Sequence, residues 1–329
     1  MRRQWQGFSS PFASAFEQFL RHKRALGRRY RVEESVLRLF DRFLIVQSVQ
    51  QLDLITPPVV DAFLASRPRV RPRSYNHLRG ALVRFFEWSV AQGHVSSSPV
   101  QAPPRRVTGQ RVPFIFDPPT ARRLLEIAKA LPDNASAPCR GQTYYTIFAV
   151  LYGLGLRVGE VSRLTIGDVD LDRRLLVIRE TKFGKTRLVP FGPRIASLLT
   201  AYRAATEARR GPLEADRPFF SFTRRGAIHP CTITQTFHHL MPRLRLVIPD
   251  GVASPRLHDL RHSFAVGTLL RWYRTGVDPQ ARLLHLSTFL GHVDPASTAV
   301  YLTITPALLA AASERFARYA ASSTEGGTP

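Results

Sequence analysis

Four short segments place polar side chains where the surrounding pattern is apolar. They are Gly155-Leu-Arg157-Val-Gly-Glu160, Lys182 within Thr181-Lys-Phe-Gly-Lys185-Thr186, His258-Asp-Leu-Arg261-His262, and Leu290-Gly-His292 with Tyr301 nine residues on. Their residue types suit phosphate chemistry: a planar guanidinium fork can hold two oxygens at once, and imidazole titrates near neutral pH. Taken singly, each has a plain structural explanation. Arg157 can pair with Glu160 on a helix surface, Lys182 can be an ordinary hairpin charge, and Tyr301 is one of nine tyrosines. His258 and His262 stand four apart, a spacing that also suits a metal pair. Asp259 replaces the glutamate of an H-E-x-x-H zinc site, however, and Arg261 between the histidines would repel a cation, so no metal is expected. Gly153-Leu-Gly155-Leu-Arg-Val-Gly159 lacks the spacing of a dinucleotide loop and follows a helix-like run instead of a strand.

Net charge narrows the partners. The 329 residues carry 47 bases and 24 acids, a formal charge of +23, and 43 of the bases are arginine. Such an excess points first to a polyanion, with a basic ribosomal or membrane-surface protein as the alternative. Apolar residues make up 44%, enough for packed cores. No apolar run approaches the roughly 18 residues that a membrane span needs. The opening MRRQWQGFSSPF lacks a secretory core. Two cysteines, Cys139 and Cys231, supply neither a disulfide framework nor a four-thiolate site. A reduced, cytoplasmic protein without a cofactor is the expectation.

The elements that must position these residues fall into two parts. Residues 1–106 read as helices, with apolar stripes at Phe12, Phe16, Phe19 and Leu20 and at Val36, Leu37, Phe40, Phe43 and Leu44. Thr56-Pro57 reads as an N-cap opening a short helix through Val60 and Phe63. Arg67-Pro-Arg69-Val-Arg71-Pro-Arg73 is too proline-rich for a helix interior and precedes a fourth helix, which has Leu78, Leu82, Phe85, Phe86 and Val90 on its apolar face. Serine and proline clusters over 95–119 mark a linker. Residues 1–110 hold 18 bases and 7 acids, against 29 and 17 in the rest, so the small part is about twice as charged per residue. In the second part, Leu175–Arg179 and Arg187–Phe191 predict a β-hairpin. Helices are predicted near 121–131, 144–154, 193–208, 232–244, 256–272 and 306–320, with a disordered tail over 321–329. The fold class is therefore mainly α with a small β-hairpin or sheet.

In order, spacing and element type, the four segments together resemble the tyrosine recombinase (phage integrase) family, and the match covers nearly the whole chain. The resemblance implies a helical core-binding, DNA-clamping domain over 1–106 and a catalytic domain over 107–320. It implies Tyr301 as nucleophile, and Arg157 and Arg261 against the phosphate charge. Lys182 would donate a proton to the leaving oxygen, and His258 and His292 would bind phosphate or assist proton transfer. Glu160 and His262 would support the site. Arg67, Arg69, Arg71, Arg73, Arg79 and Lys185 are the candidate DNA contacts; Lys185 is also the alternative to Lys182. Double-stranded DNA is the implied partner, together with further copies of the chain in a tetramer and possible partner recombinases. Alternatives are a catalytically silent DNA-binding protein of the same fold and a type IB topoisomerase. The gap of 34 residues from His258 to His292 is long for compact members and similar to recombinases of transposable elements. The helix opened by Thr305-Pro306, with Leu308, Leu309, Ala312, Phe316 and Tyr319 on one face, would dock on a neighbouring subunit or on its own domain.

Overall fold

The computed structural model describes residues 7–107, 111–179, 186–223, 226–292, 294–303 and 306–325. Lys182 and Lys185 lie outside the described residues. The chain divides into two compact units, Met1–Gln110 and Arg111–Pro329.

The first unit is a four-helix assembly: α1 (Ala13–Ala25), α2 (Arg31–Val46), α3 (Pro57–Ala65) and α4 (Pro72–Ala91). Its core is aromatic. Phe16, Phe19, Phe40, Phe63, Phe85 and Phe86 are fully buried, and ring pairs such as Phe16–Phe85 and Phe40–Phe63 stand 4.7 and 4.9 Å apart. Such tilted and edge-on pairs add to the apolar burial itself. Two details depart from the sequence reading. Val90 is 37% exposed, and Trp88 and Ser89 are buried in its stead, because the stripe drifts around a 20-residue helix. Thr56 has the extended backbone of an N-cap, but its side chain makes no capping bond. Pro57 and Pro72 each fall in a first helical turn, where the missing N–H has no intrahelical partner to lose.

The second unit opens with α5 (Pro118–Lys129), α6 (Arg140–Leu154) and α7 (Val158–Arg163). Nearly every residue of α6 from Thr143 to Leu151 is buried, which marks it as the central helix of this core. Strands β1 (Val169–Asp170), β2 (Leu175–Ile178) and β3 (Arg187–Pro190) form an antiparallel sheet in that order. Leu175 pairs with Pro190 and Ile178 with Arg187, so the hairpin has the strands read from the sequence, with β1 added at its edge. Helices α8 (Pro193–Arg210), α9 (Pro230–Leu240), α10 (Asp259–Arg274), α11 (Pro279–Leu290), α12 (Ala296–Ala299) and α13 (Pro306–Glu325) follow. The long His258–His292 interval is thus the body of α10, a short turn and α11. Helix α13 runs to Glu325, past the residue 320 limit set by the sequence reading. A satellite core of Ala265, Val266, Leu269, Leu286, Leu290, Tyr301 and Leu308 joins α10, α11 and the start of α13. Leu308 is fully buried in this core, whereas Leu309 and Phe316 are 51% and 72% exposed.

Candidate active site

Two helix ends supply the frame. Helix α6 stops at Gly155 and α11 at Gly291, both left-handed at φ 60° and 68°. Glycine is required at each for space as well as conformation. A Cβ on Gly155 would stand 2.6 Å from the Phe264 ring, and one on Gly291 would stand 2.7 Å from the Arg187 guanidinium. Carbonyls at these helix C-termini are unpaired within the helix and carry its negative end. Arginines take them up: Arg261 donates to the carbonyls of Gly155 (2.7 Å) and Leu290 (2.6 Å), and Arg157 donates to that of Gly291 (3.0 Å).

Arg261, 1% exposed, is the largest fully buried polar side chain. Burial, then the Arg157 charge, pulls its guanidinium down to about 9, so it remains a cation at neutral pH. Its Nε–H is buried with no partner. Arg157 is more open, its side chain 33% exposed. It starts α7, where the Glu160 carboxylate accepts from its backbone N–H (2.9 Å) and its guanidinium (2.8 Å).

Glu160 is the anionic centre beneath the arginines. It also accepts two hydrogen bonds from Arg187, at 2.9 and 3.0 Å. Burial alone would raise its pKa, but the Arg187 hydrogen bonds and charge, followed by Arg157, bring it down to about 2. The sequence reading missed Arg187, which also donates to the Phe289 carbonyl at 2.9 Å. Strand alternation carried the signal. Arg187 shares the inward face of β3 with fully buried Val189, while Leu188 between them is 58% exposed. A charged residue on the buried face of a strand needs a partner.

Histidines and the tyrosine close the cluster. His258 is the N-cap of α10, and its ring meets that of His262 edge-on at 4.8 Å. The His262 Nδ1 lies 2.8 Å from the Tyr301 hydroxyl. His292 bonds through Nδ1 to Thr298 Oγ1 at 2.6 Å, and its ring is nearly parallel to that of Tyr301 at 6.4 Å. Burial, followed by neighbouring positive charge, takes His258 and His292 down to about 4. For His262, burial and then His258 take it to about 3. All three rings are neutral at pH 7. Tyr301 is 4% exposed, and burial raises its pKa against the opposing pull of Arg261 and Arg157.

The structure therefore gathers Arg157, Glu160, His258, Arg261, His262, His292 and Tyr301, although the first and last stand far apart in sequence. Besides Arg187 it adds Asp259, fully buried, which accepts the backbone N–H of Arg256 at 2.8 Å and lies 3.3 Å from Arg111. Among the described residues, no group of three or more His, Cys, Asp or Glu is gathered as metal ligands. The candidate DNA arginines separate. Arg71 and Arg73 are exposed at the start of α4, whereas Arg67, Arg69 and Arg79 are half-buried. Arg79 donates through Nε to the Ala102 carbonyl, and the Arg69 carbonyl accepts from Arg105. These contacts tie the segment after α4 to the helix and to the residues just before it.

This architecture has close counterparts. Residues 116–307 match the phage integrase family. A Sinorhizobium fredii protein that carries the name integrase/recombinase y4rB is 34% identical over 315 residues, 94% of this chain and 98% of that one. Tyrosine recombinase XerC of Chlorobaculum parvum is 29% identical over 255 residues, 72% of this chain and 70% of that one. Among solved structures, the Tn1549 transposon integrase in complex with transposon right-end DNA superposes with a TM-score of 0.63 at 16% identity, over 93% of this chain and 98% of that one. The fold is that of tyrosine recombinases, mostly helical with one small antiparallel sheet. The chain belongs to the phage integrase family, and the protein is a site-specific recombinase of the tyrosine class. Among the described residues no helix is long and apolar enough to cross a membrane.

Proposed function

We propose that the protein cuts and rejoins DNA strands through a covalent 3′-phosphotyrosine formed on Tyr301. The observation that carries this reading is the pair of guanidiniums, Arg157 and Arg261, held from behind by helix-end carbonyls within the electrostatic reach of the Tyr301 hydroxyl. Negative charge on the non-bridging oxygens grows during attack on phosphorus, and donors fixed in advance stabilise it without reorganisation. His258 and His292, neutral in the free protein, can donate to phosphate oxygens or gain a proton once that charge arrives. Lys182, which follows β2 in the sequence, protonates the leaving 5′-oxygen. Because the phosphodiester bond energy is retained in the phosphotyrosine, rejoining needs no ATP.

The first unit grips the duplex through phosphate. Arg71 and Arg73 stand at the N-terminus of α4, where the helix dipole also favours an anion. Four copies assemble on two duplexes, and the exposed Leu309 and Phe316 of α13 supply apolar surface for contact between copies. The Tn1549 relative, a transposon integrase, makes movement of a mobile element the favoured biological setting, in the cytoplasm of a bacterium.

The test is covalent capture. The full chain is incubated with a randomised duplex library, denatured in detergent, and the attached DNA ends are sequenced. The expected result is adducts at a defined sequence with the wild type and none with Tyr301→Phe. Adducts that persist in Y301F overturn the assignment. DNA retardation without any adduct points instead to a silent binding protein, and relaxation of supercoils without a defined site points to a topoisomerase.

A further inference from the structure

Behind the nucleophile, three side chains stand in series, the last two joined by a hydrogen bond. Asp259 Oδ1 lies 4.0 Å from His262 Nε2, and His262 Nδ1 lies 2.8 Å from the Tyr301 hydroxyl. Asp259 is 0% exposed. Its Oδ2 accepts from the Arg256 backbone and from Arg111, whereas its Oδ1 accepts no hydrogen bond and lies 3.6 Å from the Arg256 guanidinium. A carboxylate on the Nε2 side of an imidazole favours the tautomer with hydrogen on Nε2. That leaves the Nδ1 lone pair facing the phenol, so Tyr301 donates and His262 accepts. Among the described residues, the hydrogen bond of the Tyr301 hydroxyl runs to His262; the Nδ1 of His292 is engaged by Thr298.

We propose that His262 takes the proton from Tyr301 during strand cleavage, with Asp259 as the positioning residue that sets its tautomer and faces the imidazolium that forms. The assignment rests on the phosphotyrosine reading above and extends the merely supporting part that the sequence gives His262. As the Tyr301 O–P bond forms, the hydroxyl proton passes to His262 Nδ1. The P–O5′ bond breaks, and the 5′-oxygen takes a proton from Lys182. Rejoining reverses each transfer. In the resting site burial, followed by the Arg256 and Arg261 charges, opposes a charge on His262, which keeps the acceptor lone pair available until the phosphate brings negative charge.

The experiment uses a nicked suicide duplex built from the sequence captured by the wild type, with single-turnover cleavage followed from pH 6.5 to 9. His262→Asn retains an acceptor near the Nδ1 position but cannot take the proton. H262N should bind this duplex as the wild type does and cleave it about 100- to 1,000-fold more slowly, the size of a lost general base. Its rate should rise with pH, as Tyr301 comes to ionise unaided. A duplex with sulfur at the 5′-bridging position, whose leaving group needs no proton, should restore Lys182→Ala but not H262N. Asp259→Asn should slow cleavage about tenfold with the same lack of rescue, and it carries the test if thermal unfolding shows that H262N does not fold. H262N cleavage within about threefold of wild type, or rescue of H262N by the bridging sulfur, overturns the proposal. So does a pH profile altered by His258→Asn but unmoved by H262N. Failure of the wild type to form any adduct is a separate result, which overturns the phosphotyrosine reading and this proposal with it.

Discussion

Replacing Glu160 by glutamine removes one charge and leaves the side chain's shape almost unchanged. In the native site this carboxylate, 4% exposed, accepts from Arg157 and doubly from Arg187, and its pKa falls from 4.5 to about 2. At about 1.36 kcal/mol per unit, the charged form contributes about 3 kcal/mol to folding at neutral pH. The range of about 3–5 kcal/mol for breaking one side of a buried pair agrees. The folded-state pKa is depressed, so this contribution is complete above pH 4.5 and disappears as pH falls through about 2. Urea unfolding at pH 7 should show E160Q less stable by about 3 kcal/mol, a lowering of roughly 6–12 °C in Tm for a domain of this size. The gap should narrow to about half near pH 3. Glu214→Gln is the control: its pair with Arg217 is exposed at 69% and 47%, and such a pair is worth about 0–1 kcal/mol. Stability of E160Q within about 0.5 kcal/mol of wild type at pH 7 would refute the reasoning, because exposed pairs already account for that much. So would a gap that does not shrink in acid.

Other expectations follow from the same geometry. Gly291→Ala puts a methyl group 2.7 Å from the Arg187 guanidinium at a φ of 68°; the left-handed backbone alone costs about 1–2 kcal/mol, so thermal unfolding should fall by several degrees, and cleavage should fall with it as Arg187 and Glu160 are displaced. His258 and His292, lowered to about 4, and His262, lowered to about 3, bind protons more readily when unfolded. Stability should therefore be complete above about pH 6.5 and decline from there toward pH 4, and a urea midpoint that stays level from pH 7 to pH 5 would contradict the burial of these rings. Arg71→Ala and Arg73→Ala should weaken binding to all sequences alike, and each should reduce the slope of log affinity against log salt by about 0.9; unchanged slopes would remove these two arginines from the interface.

How much was legible in the sequence depended on the range of the interaction. Helical stripes such as Phe12, Phe16 and Phe19, the β2–β3 pairing and the linker arise from local periodicity and turn chemistry, and all lie within a few residues of their cause. The polar motifs could also be read, because an arginine or histidine within an apolar run stands out against its neighbours. The end of the apolar face at Val90 could not, since accumulated drift along a long helix is settled by what packs against it. Nor could the tie from Arg79 to the Ala102 carbonyl, which lies 23 residues away and leaves no mark in residue type.

By itself, then, the sequence singled out most of the polar residues that the fold brings together, Arg157, Glu160, His258, Arg261, His262, His292 and Tyr301, but not Arg187. Only the tertiary structure decided how they are held. The carbonyls of Gly155, Leu290 and Gly291 that anchor Arg261 and Arg157 belong to every backbone and leave no mark in residue type. The Glu160 carboxylate shared by Arg157 and Arg187, and the contact of His262 with Tyr301, join residues up to 27 and 39 positions apart that only the packing of helix ends and a strand brings together. Burial then sets the protonation states, since desolvation depends on what surrounds a group in space and not on what precedes it in the chain.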